Sequence, residues 1–251
     1  MISIKSSEEI ALLKIAGSIV HDTRKYLIPY IKEGTTTKEL DKLAEEYIKS
    51  RDATSSLKGY LGYPYSICTS INEEAAHGLP SKRKLRNGDI VTIDIAVCYQ
   101  GYHADSAWTF PVGEVSDKRK ALMQYTKEAL FKGISVIKPG NHLNDISKAI
   151  YTVSQNHGLN IIKDISGHGI GTSLHEEPDI LNYENKNYDE ELKEGMVLAI
   201  EPVFAIGRGD VITLDDNWTI ETEDNSSSAH YEHTIVVTSD GYEILTGGID
   251  G

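Results

Sequence analysis

Residues 85–94, "LRNGDIVTID", are written again as residues 192–201, "LKEGMVLAIE". Leu85 falls on Leu192, Gly88 on Gly195, Ile93 on Ile200 and Asp94 on Glu201, all at one offset. Each copy carries a glycine, then an apolar stretch, then a carboxylate. Upstream, residues 31–40, "IKEGTTTKEL", resemble residues 137–146, "IKPGNHLNDI". His77-x-x-Pro80 precedes the first run as His175-x-x-Pro178 precedes the second. Three matches in the same order indicate an internal repeat, which governs how every other segment is read. They predict one domain over 1–251 made of two related halves, roughly 1–110 and 111–251, with no linker or low-complexity segment between them.

Local signals agree. Ser6-x-x-Glu9 and Thr36-x-x-Glu39 are capping boxes. The helix after the first carries Ile10, Leu12, Leu13, Ile15 and Ile19, and the helix after the second carries Leu40, Leu43, Ala44, Tyr47 and Ile48, both at helical spacing. Further helices are predicted over 117–137 and from about 144 to a stop at Gly158. Residues 90–97 and 196–204 read as strands. Helices grouped ahead of strands predict an α+β fold with mostly antiparallel sheet.

The composition of the 251-residue chain, 39% hydrophobic and 25% charged, is that of a globular protein with a substantial core. No apolar run is long enough to span a membrane. The first residues form an amphipathic helix with Glu8 and Glu9 at its start, which is not a signal peptide. A formal charge of −13 argues against a nucleic-acid surface, since phosphate contacts need clustered Lys and Arg. Lys82-Arg83-Lys84 with Arg86 reads as a solvated loop. Cys68 and Cys98 make no CxxC pair or disulfide framework, so both are expected as reduced thiols of a cytoplasmic protein.

The acids that interrupt apolar strands carry the chemistry. Asp94 lies in "IVTIDIAV", where an unpaired carboxylate is costly. Asp105 follows in "YHADSAWTF", and a tight turn at 99–101 makes the two near-opposite partners of one hairpin. Glu201 in "VLAIEPVF" and Glu232 in "SAHYEHTIVV" repeat the device in the second half. With His168 these form a set of four carboxylates and one imidazole. Such a set suits hard or borderline divalent ions and not a cysteine-type structural zinc. Four negative ligands balance two divalent ions, as in two-metal hydrolytic centres whose ions sit ~3.5–4 Å apart around one activated water. His168 and His175 lie in residues 167–178, "GHGIGTSLHEEP", where Gly167, Gly169 and Gly171 are expected to let the backbone approach metals or substrate. A phosphate-cradling loop is the rival reading, but no Lys-Ser/Thr follows.

Taken together, "GYPYSICTSINEEAAHGLP", "NGDIVTIDIAV", "GYHADSAWTFPVG", "GHGIGTSLHEEP", "LKEGMVLAIEP" and "YEHTIVV" resemble the type I methionine aminopeptidases of the pita-bread fold. The resemblance runs along essentially the whole chain and is closest to the short bacterial form. It implies two pseudo-symmetric halves with a curved antiparallel sheet covered by helices. It implies the same five metal ligands, Asp94, Asp105, His168, Glu201 and Glu232, with Asp105 and Glu232 bridging two ions of manganese, iron, cobalt or zinc. The implied reaction removes N-terminal methionine from nascent proteins, preferring a small second residue, by direct attack of a metal-bridging hydroxide. His175 would polarise the carbonyl and hold the oxyanion, His77 would bind the scissile amide and help protonate the leaving amine, and Glu201 would accept the proton of the water. Tyr60, Tyr63, Cys68, Leu174 and Trp218 match the methionine pocket, and a monovalent-cation site is implied near Asn72 and Ser228.

Three positions depart from the family's pattern. Leu57 stands where cysteine is common, Ala76 where cysteine is frequent and Leu174 where phenylalanine is common. A slot of rings, thiol and leucine still suits a thioether, while Leu174 leaves methionine-over-leucine selectivity open. Two other readings compete: an X-Pro aminopeptidase or prolidase on the same fold, whose relatives usually carry an extra N-terminal domain, and a non-catalytic binding protein, whose relatives typically lose ligands. The expected state is a monomer without membrane or nucleic-acid partners, and the acidic surface leaves transient ribosome association open.

Overall fold

Both capping boxes form. Ser6 and Thr36 accept the backbone N–H of Glu9 and Glu39, whose carboxylates take the N–H of Ser6 and Thr36 at 2.7 Å in each case. They open helices α1 (Ser7–Leu27) and α2 (Thr37–Ser50). The computed structural model describes residues 2–185, 187 and 189–247. After α2 come strands β1 (Thr54–Ser55), β2 (Ile67–Ile71), β3 (Glu74–Ala76), β4 (Ile90–Tyr99) and β5 (Tyr102–Pro111). The second half begins with α3 (Asp117–Ser135) and α4 (Leu143–His157), the latter stopped by Gly158 at φ 63° as expected. Ten short strands follow: β6 (Asn160–Ile161), β7 (Gly167–Gly169), β8 (Glu176–Ile180), β9 (Val197–Ile200), β10 (Val203–Ala205), β11 (Val211–Thr213), β12 (Ile220–Thr222), β13 (Ser228–His230), β14 (His233–Val237) and β15 (Tyr242–Ile244).

The repeat is visible atom by atom. Gly34 and Gly140 both take positive φ, 90° and 86°, and so do Gly88 and Gly195, at 96° and 85°. Thr36 bridges to Lys84 as His142 bridges to Glu191. The N–H of Leu85 reaches the carbonyl of Thr35, and that of Leu192 reaches the carbonyl of Asn141. Two hydrophobic cores follow the same division. One joins Leu40, Ile48, Ile67 and Ile93 beneath α1 and α2, and the other joins Leu122, Ile146, Leu198, Phe204 and Ile235 beneath α3 and α4.

Every strand pairing among the described residues is antiparallel. β4 carries β1 and β2 on one edge and β5 on the other, and the order β15-β14-β9-β7-β8 makes the second large sheet. The two sheets are stitched along β5: the Asp105 N–H donates to Thr234 Oγ1 at 3.0 Å, and the Glu232 N–H to the Ala107 carbonyl at 2.8 Å. The functional cluster lies on that seam.

The strand expected over 196–204 is interrupted, since β9 ends at Ile200 and β10 begins at Val203. Pro202 has no N–H to give a ladder and marks the break. The glycines of 167–171 also act otherwise than expected. A Cβ on Gly167 would lie 2.3 Å from the Ala199 carbonyl oxygen, one on Gly169 2.2 Å from that of Glu177, and one on Gly171 2.3 Å from Lys5 Cε. They admit neighbouring strands and a lysine. Gly167→Ala must therefore push β7 off β9, and we expect it to destabilise the fold by about 3 kcal/mol. A urea midpoint unchanged from the parent protein would refute this origin of the glycine.

Candidate metal centre

Asp94 and Asp105 lie in the middle of the β4–β5 hairpin, whose turn is Gln100–Gly101 at φ 48° and 85°. This two-residue, double-positive-φ turn fixes the register. It sets Asp105 opposite Ala96 and Asp94 opposite Ala107, so the two acids are diagonal neighbours on one face and not opposite partners. Glu201 and Glu232, unlike the two aspartates, are not inside the strands expected to hold them. Glu201 occupies the break between β9 and β10, and Glu232 the break between β13 and β14. His168 is centred on β7, paired on both sides by β8 and β9.

These elements converge. Ligand atoms of Asp105, His168 and Glu232, all buried, lie within 4.8 Å of one another. His168 Nε2 is 3.4 Å from Asp105 Oδ2 and 3.6 Å from Glu201 Oε1. Its Nδ1 lies 2.9 Å from the Gly169 carbonyl, which can only accept, so Nδ1 carries a proton and fixes the ring with Nε2 toward the carboxylates. The Thr234 hydroxyl donates to Asp105 Oδ1 at 2.9 Å and orients it.

Burial pushes Asp94 up to about 7, with Asp105 and Glu201 adding to it and His230 opposing. Burial raises Glu232 far above the carboxylate range, reinforced by Asp105, Glu201 and Asp94. Burial disfavours charge on His168 and Asp105 as well, yet their mutual contact outweighs it. His168 rises to about 9 and Asp105 is held below its ordinary value. Four carboxylates crowded this closely cannot all ionise without added positive charge. An oxygen-rich set with one imidazole nitrogen and no thiolate supplies what a hard or borderline divalent cation needs.

The shifts have a thermodynamic consequence. Asp94, Glu232 and His168 all bind protons more tightly in the folded state, so metal-free stability falls as pH rises. The loss spans 3.8 to about 7 for Asp94 and 6.5 to about 9 for His168, and starts at 4.5 for Glu232. Asp105 has the opposite sign below its ordinary value, and so do His77, His103, His175 and His233, lowered by burial, below about 6.5. We expect the melting temperature of chelator-treated protein to drop by roughly 5 °C between about pH 7 and 9. Added manganese should remove most of that drop, and a flat profile in the metal-free protein would contradict the crowding described above.

His175 lies at the start of β8 with its ring 4.3 Å from that of His168, and its Nδ1 is 2.8 Å from the Tyr60 hydroxyl. His77 follows β3 at φ 55°, a conformation a histidine adopts only when its surroundings hold it. Burial lowers both imidazoles. Cys68 is the strand partner of Asp94, and burial keeps it a thiol. Tyr63 packs edge-on against Trp218 at 5.0 Å, and its hydroxyl donates to the Ile67 carbonyl at 3.0 Å. Trp218 lies in the β11–β12 hairpin, which β3 holds through Ile220 and Ala76. Leu174 is buried in one cluster with Leu57 and Tyr60, so two of the three departing residues touch the same wall. Asn72 and Ser228 also meet, the Ser228 N–H donating to the Asn72 carbonyl at 2.8 Å.

Two features escaped the sequence reading. His230, two residues before Glu232 and so on the same side of an extended chain, is buried with Nε2 3.5 Å from Glu201 Oε2. Lys5, also buried, places Nζ 2.5 Å from Glu176 Oε2. The other oxygen of Glu176 takes the Ser173 N–H at 3.1 Å and the Thr172 hydroxyl at 3.2 Å, pinning the loop that presents His175.

A cluster of this composition on paired antiparallel sheets has known counterparts. The model of metallopeptidase family M24 matches residues 11–239. The chain belongs to this family. It is a hydrolase that binds divalent metal, on the pita-bread fold. It is 48% identical to methionine aminopeptidase 1 of Bacillus subtilis over 98% of this chain and 99% of that one. The methionine aminopeptidase of Thermotoga maritima superposes with a TM-score of 0.96 at 42% identity, covering 98% and 99% of the two chains. An Xaa-Pro dipeptidase from Bacillus anthracis shares the fold at a TM-score of 0.79 and 26% identity, over 99% of this chain and 63% of that one. No helix among the described residues is long and apolar enough to cross a membrane.

Proposed function

We propose that this M24 metallopeptidase removes the N-terminal methionine of nascent proteins and peptides, with preference for a small second residue. The observation that carries this reading is the buried Asp105–His168–Glu232 cluster, with the His175 ring 4.3 Å from that of His168 and Cys68 paired with Asp94. The near full-length identity to methionine aminopeptidases supports it. Asp94, Asp105, His168, Glu201 and Glu232 would hold two divalent ions of the manganese, iron, cobalt or zinc class. Bound there, such ions supply Lewis acidity and lower the pKa of water.

The chain's own residues do the rest. Tyr60, Tyr63, Cys68, Leu174 and Trp218 receive the methionine side chain. With the Tyr60 hydroxyl donating to Nδ1, His175 presents its Nε2–H to the scissile carbonyl and then to the oxyanion. Glu201 accepts the proton of the attacking water, and His77, bound to the scissile amide, helps deliver that proton to the departing amine as the C–N bond breaks. Asn72 and Ser228 border a monovalent-cation site. The two halves, 1–110 and 111–251, form a single catalytic domain that acts as a cytoplasmic monomer and touches the ribosome transiently.

The test is hydrolysis of Met-Ala-Ser, Leu-Ala-Ser and Ala-Pro-Ser by metal-stripped protein with manganese, cobalt, iron or zinc restored. Metal-dependent cleavage of Met-Ala-Ser is expected, and comparable cleavage of Leu-Ala-Ser would trace to the Leu174 wall. Cleavage of Ala-Pro-Ser alone would overturn the proposal in favour of an X-Pro peptidase.

A further inference from the structure

Glu201 lies between two imidazoles. Its Oε1 faces His168 Nε2 at 3.6 Å and its Oε2 faces His230 Nε2 at 3.5 Å. His230 is 3% exposed, and its backbone is locked on both sides. Its N–H donates to Thr109 Oγ1 at 3.0 Å, the Thr109 hydroxyl donates to its carbonyl at 2.9 Å, and β13 pairs it with Val203. Its Nε2 nevertheless has no hydrogen-bond partner. A buried ring nitrogen left unpaired is costly and calls for an acceptor or a donor. With Glu201 a carboxylate in the loaded centre, which can only accept, Nε2 is the donor of this pair.

We propose that His230 is a positioning residue for Glu201. Its Nε2–H donates to Glu201 Oε2 once the centre is loaded. That contact leaves Oε1 facing His168 and holds one lone pair of Oε2, so that the other would be free for the proton of the attacking water. Thr109, on β5, seats His230 from the opposite sheet, so the seam between the sheets sets the aim of the base. This inference rests on the function proposed above and adds to it a residue outside the five ligands and the two cleft histidines. Partners of this kind are worth about 10–100-fold in metal affinity or activity.

The experiment compares full-length wild type, His230→Leu and His230→Gln, all stripped and reloaded with manganese. Calorimetry gives the manganese Kd, and Met-Ala-Ser hydrolysis gives kcat and KM. Circular dichroism checks folding, and His230→Met replaces the leucine variant if the latter does not fold. The leucine change should lower kcat about 10–100-fold, keep KM within about twofold and weaken manganese binding about tenfold. Glutamine, whose amide N–H can reach the same oxygen, should restore most of both losses. The proposal is overturned if the leucine variant matches wild type in kcat and Kd, if glutamine is as impaired as leucine, or if only KM changes. If wild type itself fails on Met-Ala-Ser, the function proposed above falls, and the manganese affinities of the three proteins still decide the role of His230.

Discussion

Asp105→Ala and Glu232→Ala are each expected to abolish metal-dependent hydrolysis of Met-Ala-Ser, by about 10³-fold or more, while the protein still folds. Asp105 touches His168 through Oδ2 and Thr234 through Oδ1. Glu232 sits where the two sheets are stitched and shares the field of Asp94, Asp105 and Glu201. Removing either takes a carboxylate from the proposed metal centre. The Lewis acidity lost is worth several kcal/mol of barrier, and ~4 kcal/mol corresponds to 10³ in rate. The fold should survive because Glu232 is repelled by its neighbours in the metal-free protein, and without Asp105 the buried His168 can shed its extra proton. Glu232→Gln, which removes the charge and keeps the shape, should melt at or above the metal-free parent and gain no stability from manganese. Calorimetry, melting curves and turnover on the same preparations check all three statements. Full turnover in either alanine variant would remove it from the metal centre.

The second large effect is expected from His175→Ala, a fall in kcat of about 10²–10³-fold with manganese binding unchanged. That is the size seen when one preorganised donor to a developing oxyanion is deleted. The His175 ring touches His168 but is not in the carboxylate cluster, so binding and chemistry should separate. Tyr60→Phe removes only the hydroxyl that holds Nδ1, and should cost roughly 3–10-fold, in line with the net worth of one hydrogen bond. An alanine variant with normal kcat and a raised KM would make His175 a binding group only.

Much of this was legible in the sequence for stated physical reasons. The repeat shows because Gly34, Gly140, Gly88 and Gly195 meet the same positive-φ demand at matching places. Thr36 and His142 begin matching helices. Asp94 and Asp105 show because an acid in an apolar strand needs a compensating partner. What stayed hidden depends on distant contacts. The diagonal offset of the two aspartates follows from the length of the turn at Gln100–Gly101. The strand breaks at Glu201 and Glu232 come from sheets meeting edge to edge along β5. The glycines of 167–171 are required by Ala199, Glu177 and Lys5, none of which the segment itself reveals. Lys5 and Glu176 are 171 residues apart, and His230 acquires meaning only when Glu201 is brought to its ring.

The central claim is that two divalent ions bind among Asp94, Asp105, His168, Glu201 and Glu232. Its most direct test is a crystal grown with manganese and measured at the manganese edge. Two anomalous peaks within that cluster are the predicted result. A single peak, or peaks elsewhere such as the surface acids Glu177 and Asp179, would contradict it.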